Sequence, residues 1–159
     1  MTMSNVTLAL CATAGALALK QMCVHLLCIR SRLLSGVIDV PEFKTLKPML
    51  KAGFLIRGKA DTDEKCKAMF EQAERATATT GNNAQNEPFF LAAATAMLPF
   101  VENGTLPVVF MAAYVLTRCA HNYAFVADTQ PMRAMAYSAG LFMNVGFAIV
   151  AMTAALAAK

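Results

Sequence analysis

Four arginines, a histidine, two carboxamides and a tyrosine define the chemistry open to this chain. They are Arg32, Arg75, Arg118 and Arg133, with His121, Asn82, Gln85 and Tyr137. A cationic set with amide and hydroxyl donors suits a small anion, because a guanidinium holds a carboxylate through two parallel hydrogen bonds. Spacing groups these residues. Arg75, Ala78, Asn82 and Gln85 follow at intervals of three, four and three, which is one face of a helix. Arg118 and His121 lie one turn apart, as do Arg133 and Tyr137. The plainer alternative for each arginine alone is an anchor for a helix end at lipid headgroups. For the 75–85 stripe it is the solvated face of a connector helix.

Other chemistries have little support. The five cysteines, Cys11, Cys23, Cys28, Cys66 and Cys119, form no Cys-x-x-Cys pair. They read as small packing residues, not as a disulfide framework. No His, Cys and carboxylate cluster has ligand spacing, so no metal site is expected. Basic residues are interleaved with acids and lack an aromatic platform, which argues against nucleic-acid binding.

The elements that must position these residues read as apolar spans. Of the 159 residues 57% are hydrophobic and only 15% charged, and the mean hydropathy is +0.48. Soluble domains carry about 25% charged residues. Seven of the ten acids fall between Asp39 and Glu74. The expected architecture is all-α: one integral membrane domain over 1–159 with spans at about 6–29, 86–101, 106–125 and 132–157. A polar connection covers about 30–75. It holds a candidate surface helix at 45–51 and a helix start capped by Thr62 or Asp63. Helix 2 is expected to run from about Asp63 to Val101, with Pro88 and Pro99 as candidate kinks. Lys20 and Gln21 interrupt the first span, so the lysine must snorkel, pair or face a polar cavity. The Lys and Arg excess places the connection on the cytosolic side and both termini opposite. The first residues have no basic n-region, so no cleavable presequence is expected. Residence in the endoplasmic reticulum, a mitochondrial membrane or a bacterial inner membrane fits equally.

At this point the chain resembles the MAPEG family, the membrane-associated proteins in eicosanoid and glutathione metabolism. The lysine of Leu19-Lys20-Gln21-Met22 matches a family lysine. Glu74-Arg75, Asn82 and Pro88-Phe89-Phe90-Leu91 follow the pattern E-R-x-x-R-A-x-x-N-x-x-E-x-x-P. Arg118-x-x-His121-x-x-x-Phe125, then Pro131-x-Arg133-x-x-x-Tyr137, follow R-x-x-H-x-x-x-Y and P-x-R-x-x-x-[YF]. The likeness covers nearly the whole chain and rests on the order of the motifs more than on any one of them.

The resemblance implies a homotrimer of four-helix subunits in lipid, with glutathione as cosubstrate bound between neighbouring subunits. Arg75, Asn82 and Arg118 would hold it, with Gln85 and Arg32 beside them. Arg133 would stand near its sulfur as the catalytic cation, and Tyr137 would line the pocket. The activity implied is a transferase or peroxidase acting on lipophilic electrophiles. Four positions depart from the pattern: Ala78 replaces an arginine, Thr80 a His or Gln, Gln85 a glutamate and Phe125 a tyrosine. These losses favour the alternative of a catalytically inactive member, serving as a lipid-binding module or as a structural subunit of a larger membrane complex. A small transporter is a third reading; it needs polar groups at mid-membrane, and only Lys20 and Gln21 offer them in the sequence.

Overall fold

A computed structural model describes residues 4–35, 64–101 and 104–157. Within them the chain forms four helices and no strand: α1 (Asn5–Ser35), α2 (Glu64–Met97), α3 (Thr105–Val126) and α4 (Gln130–Ala157). The surface helix expected at 45–51, the caps at Thr62 and Asp63, most of the polar connection, and the Glu102-Asn103 turn lie outside the described residues.

Local chemistry explains the ends. Ser4 caps α1, its hydroxyl accepting from the Thr7 amide at 3.1 Å. Pro107 sits in the first turn of α3, where no helical N–H is lost. Pro88 lies inside α2. Pro99 does not kink that helix, as the sequence suggested, but follows its end. A residue before proline avoids the helical region, and turn bonds from Leu98 to Thr95 and from Phe100 to Met97 close the chain there. Between α3 and α4, Asp128 takes the left-handed conformation, φ 56°, which Asp tolerates better than most residues. The Thr129 amide then bonds back to the Ala124 carbonyl at 2.9 Å.

The chain divides into two compact units, Met1–Gln21 with Gly81–Lys159, and Met22–Thr80. In the larger unit Phe90 stacks on Tyr114 with ring centroids 3.7 Å apart, and Phe147 meets Phe90 edge-on at 5.0 Å. Val6, Leu17, Ala94, Met97 and Met111 complete this core. Polar groups enter it from every helix. Lys20 of α1 forms an ion pair with Glu87 of α2. Asn83 donates to Gln21 at 2.8 Å. Tyr114 of α3 and Asn144 of α4 both donate to the Asn86 carbonyl, at 3.4 and 3.5 Å. The outer side of α4 is apolar and open, with Phe142, Val145, Ile149, Met152 and Leu156 exposed at spacings of three and four. Such a ridge suits acyl chains as its solvent.

In the smaller unit α1 and α2 pack through small side chains. Ala73 and Ala76 are buried, Ser31 donates to Gln72 at 3.0 Å, and Cys28 approaches the Ala73 carbonyl at 3.7 Å. Cys66 bonds the Leu34 carbonyl. Both thiols lie in the α1–α2 packing.

The Lys20–Glu87 pair generates a prediction. Removing one partner leaves an uncompensated buried charge, which costs about 3–5 kcal/mol, whereas replacing both with apolar residues is close to neutral. Lys20→Met or Glu87→Met should each lower the unfolding midpoint strongly in detergent. The double variant should unfold near the wild type.

Candidate functional site

The buried face of α3 carries the candidate chemistry. Met111 and Tyr114 belong to the core, and Arg118, His121 and Asn122 continue the same buried face. The pattern is helical, so two more turns of a core-facing stripe carry cations and amides inward instead of hydrocarbon.

Arg118 is 0% exposed. Its Nε donates to the Tyr114 hydroxyl at 3.1 Å. Its Cζ lies 5.3 Å from the Tyr114 ring and 6.0 Å from the Tyr137 ring, within reach of both π faces. Nη1 and Nη2 have no partner. The space for the guanidinium comes from Gly140 of α4: a Cβ there would stand 3.3 Å from Cζ and 3.4 Å from Nε.

His121 joins the two helices. Its Nδ1 lies 3.3 Å from the Arg133 carbonyl. A carbonyl only accepts, so this nitrogen is assigned the proton. That leaves Nε2, buried and unpartnered, as the acceptor of the neutral ring. The imidazole also meets Phe125 at 5.8 Å and Tyr137 at 5.7 Å. Arg133 lays its guanidinium over the Phe125 ring, 4.8 Å from the centroid. It remains half-buried, on the rim of the cluster whose interior is Arg118.

The structure thus gathers Arg118, His121, Arg133 and Tyr137 in the larger unit, as the spacing suggested. It places the other candidates elsewhere. On α2, Asn82 is half-buried and its carbonyl accepts from Asn86 at 2.8 Å. Gln85 is exposed, Ala78 is exposed and Arg75 is half-buried. The stripe that α2 buries is the neighbouring one, Ala76, Thr79, Asn83, Glu87, Phe90 and Ala94. Arg75 and Arg32 lie in the smaller unit, each beside an acid: Arg75 reaches Glu71 at 4.0 Å. Arg32 bonds Glu74 at 3.1 Å and Thr77 at 3.3 Å.

Sequence reasoning missed Glu87, Asn83, Tyr114, Asn122 and Asn144 as interior polar residues. One signal was available. Asn83, Glu87, Phe90, Ala94 and Met97 repeat at four, three, four and three, a better match to a core stripe than 75–85. The acid that the motif reading found missing at Gln85 is present two residues on, on the opposite side of α2.

The electrostatics follow from these positions. Lys20 and Glu87 neutralise each other, and among the described residues Arg118 remains a buried cation without an acid. A charge held out of water is costly unless it is paired. Two parallel N–H donors aimed at one place are the complement of a carboxylate.

The tight approach at Gly140 can be tested by a double-mutant cycle. Gly140→Val forces its methyl groups onto the guanidinium and should cost about 1–3 kcal/mol of unfolding free energy, the usual penalty of overpacking. In an Arg118→Ala background the same substitution should cost much less, because the atoms it strikes are gone.

The sequence profile of the MAPEG family matches residues 10–153. No curated protein and no solved structure matches the chain. The matched stretch includes both arginines of the cluster, His121, Tyr137 and the Lys20–Glu87 pair. Two of the helices, Asn5–Ser35 and Gln130–Ala157, are long and apolar enough to cross a bilayer. A match over nearly all of the chain, on a four-helix architecture, establishes the relationship: the chain belongs to the MAPEG family of helical membrane proteins, a family of glutathione and eicosanoid metabolism.

Proposed function

We propose that this protein binds glutathione and uses its thiolate on lipophilic electrophiles or peroxides drawn from the bilayer. The observation that carries the reading is Arg118, fully buried with both terminal nitrogens unpartnered. A carboxylate of glutathione would supply the missing acceptors. His121 Nε2 and Tyr137 would line the same pocket.

Arg133 takes the second role. A free thiol has a pKa of about 8.5 and is mostly protonated at neutral pH, and a neighbouring cation favours the thiolate. Arg133, half-buried at the rim with its guanidinium over the Phe125 ring, would do so. The thiolate would form the new bond to the electrophile. The protein's part would be positioning and charge stabilisation. Gln85 cannot provide the motif's carboxylate, but its side-chain carbonyl would accept a hydrogen bond from the ligand's ammonium. Asn82, Gln85, Arg75 and Arg32 enter by family resemblance; Arg32 and Arg75 already have acids beside them, so their support is weaker.

We read all four helices as spans, with residence in the endoplasmic reticulum or a mitochondrial membrane. The polar side of α2, with Asn82 half-buried and Gln85 exposed, suits an oligomer, and the family resemblance would make it a homotrimer. Amides facing hydrocarbon are costly, and burial against further copies of the chain would cover them.

A second reading is a lipid-binding protein without catalysis. An apolar groove of about 420 Å³ runs between α1 and α3, lined by Ala12, Thr13, Ala16, Met111, Val115 and Leu116 among others. It fits an acyl chain without any use of Arg118.

Calorimetric titration of the detergent-purified protein with glutathione separates the two, with the thiolate followed by its ultraviolet absorbance. Wild type should bind and develop the thiolate band. Arg133→Ala should bind without it. Arg118→Met should lose affinity by about tenfold or more, while the ligand-free protein is as stable as wild type or more so, because a buried unsatisfied cation has been removed. Absence of binding at millimolar glutathione, about −4 kcal/mol, would discard the enzyme reading in favour of the lipid module.

A further inference from the structure

Asn122 is a buried polar residue that the proposed function leaves unused. It is 5% exposed, and neither Nδ2 nor Oδ1 has a hydrogen-bond partner. It follows His121 directly and lies one turn beyond Arg118. Together these three residues hold five buried polar atoms without partners: Arg118 Nη1 and Nη2, His121 Nε2, and both amide atoms of Asn122. Buried carboxamides in folded proteins nearly always have at least one partner. One with none, one turn from a guanidinium whose two terminal nitrogens also lack partners, marks a place where a ligand completes the bonding.

The two kinds of group ask for different chemistry. Arg118 only donates, so an anion satisfies it. Asn122 must be given an acceptor for Nδ2 and a donor for Oδ1. A carboxylate or other unprotonated anion cannot donate. The backbone of an extended peptide can do both. One residue of a strand turns its own N–H and C=O to the same side, the arrangement by which paired antiparallel residues exchange two hydrogen bonds.

We propose that Asn122 is a specificity-determining residue that binds the main-chain N–H and C=O of a short peptide whose carboxylate is held by Arg118. The site would then select peptide carboxylates over simple organic anions. This rests on the reading of glutathione as the ligand and adds which part of it is recognised, and by which residue.

The test uses glutathione and two ester analogues, each with one of its amide N–H groups replaced by oxygen. Each is titrated calorimetrically into wild-type protein, Asn122→Leu and Asn122→Asp. The wild type should bind glutathione about tenfold more tightly than one of the analogues, the loss expected for a buried acceptor left without its donor. Asn122→Leu should bind glutathione and that analogue alike, both weakly. Asn122→Asp, which keeps an acceptor and loses the donor, should fall below wild type for every ligand.

Thermal unfolding without ligand is the control for folding. An amide awaiting a ligand can be replaced by Leu with no loss in the midpoint, whereas an amide bonded within the protein cannot. Equal binding of glutathione and both analogues by the wild type would overturn the assignment to Asn122 and leave the glutathione site standing. So would a midpoint that drops sharply in both variants. Failure of the wild type to bind glutathione at all would overturn the site and this assignment together.

Discussion

A guanidinium withdrawn from water must find acceptors, and the geometry of the larger unit is arranged about that demand at Arg118. Its Nε is committed to Tyr114, its faces lie against two tyrosine rings, and Gly140 gives it room that any other residue would take away. The interior acid Glu87 is neutralised by Lys20 instead. In a low-dielectric interior that choice of partner matters. Had Glu87 been free to reach Arg118, that guanidinium would be neutralised and its attraction for an anion much reduced.

The interior is consequently polar across all four helices. Lys20, Glu87, Tyr114, Arg118 and Asn144 lie among Phe90, Phe147 and Met111, which supply the apolar packing. Such networks rigidify a bundle when every member is satisfied and weaken it when some are not. Here Glu87, Lys20 and Tyr114 are satisfied. The unsatisfied atoms fall mainly on Arg118, His121 and Asn122, with single oxygens of Asn83 and Asn144. Stability is given up most where ligand chemistry is proposed, a common distribution in proteins whose sites break local rules that the rest of the fold obeys.

The helices were legible because apolar runs long enough to cross a bilayer are separated by polar breaks. The cluster on α3 and α4 was legible too, since Arg118, His121, Arg133 and Tyr137 sit at helical spacing in largely apolar surroundings. The inward face of α2 was not. Between Arg75 and Asn86 that helix is built from Ala, Thr, Gly, Asn and Gln, and no stripe among such small polar residues stands out by hydrophobicity. Its orientation is decided by residues distant in sequence. Lys20 claims Glu87, Gln21 claims Asn83, and Tyr114 with Asn144 claims the Asn86 carbonyl. A stripe chosen by motif spacing therefore fell one position to the side. Asn122 was passed over because nothing in its type separates a solvated amide from a buried one.

The two arginines of the cluster divide along burial, and the division suits the proposed chemistry. Arg118 is enclosed, so its interaction with an anion is little screened by solvent and can dominate affinity. Arg133 is half-buried and rests on an aromatic face that leaves its guanidinium edge available. A cation stabilising a nucleophile must do so without holding it so tightly that reactivity is lost, because only interactions stronger in the transition state than in the ground state accelerate the reaction. A rim cation supported by a ring can shift as charge moves from sulfur to the electrophile. A fully enclosed one, fixed by Tyr114 and Gly140, cannot. Replacing the family tyrosine with Phe125 keeps the ring beneath Arg133 and removes a hydroxyl that could compete for the same anion. That departure from the motif is therefore compatible with the proposed site, whereas the loss of an arginine at Ala78 would weaken binding of the proposed ligand without touching the group that would act on it.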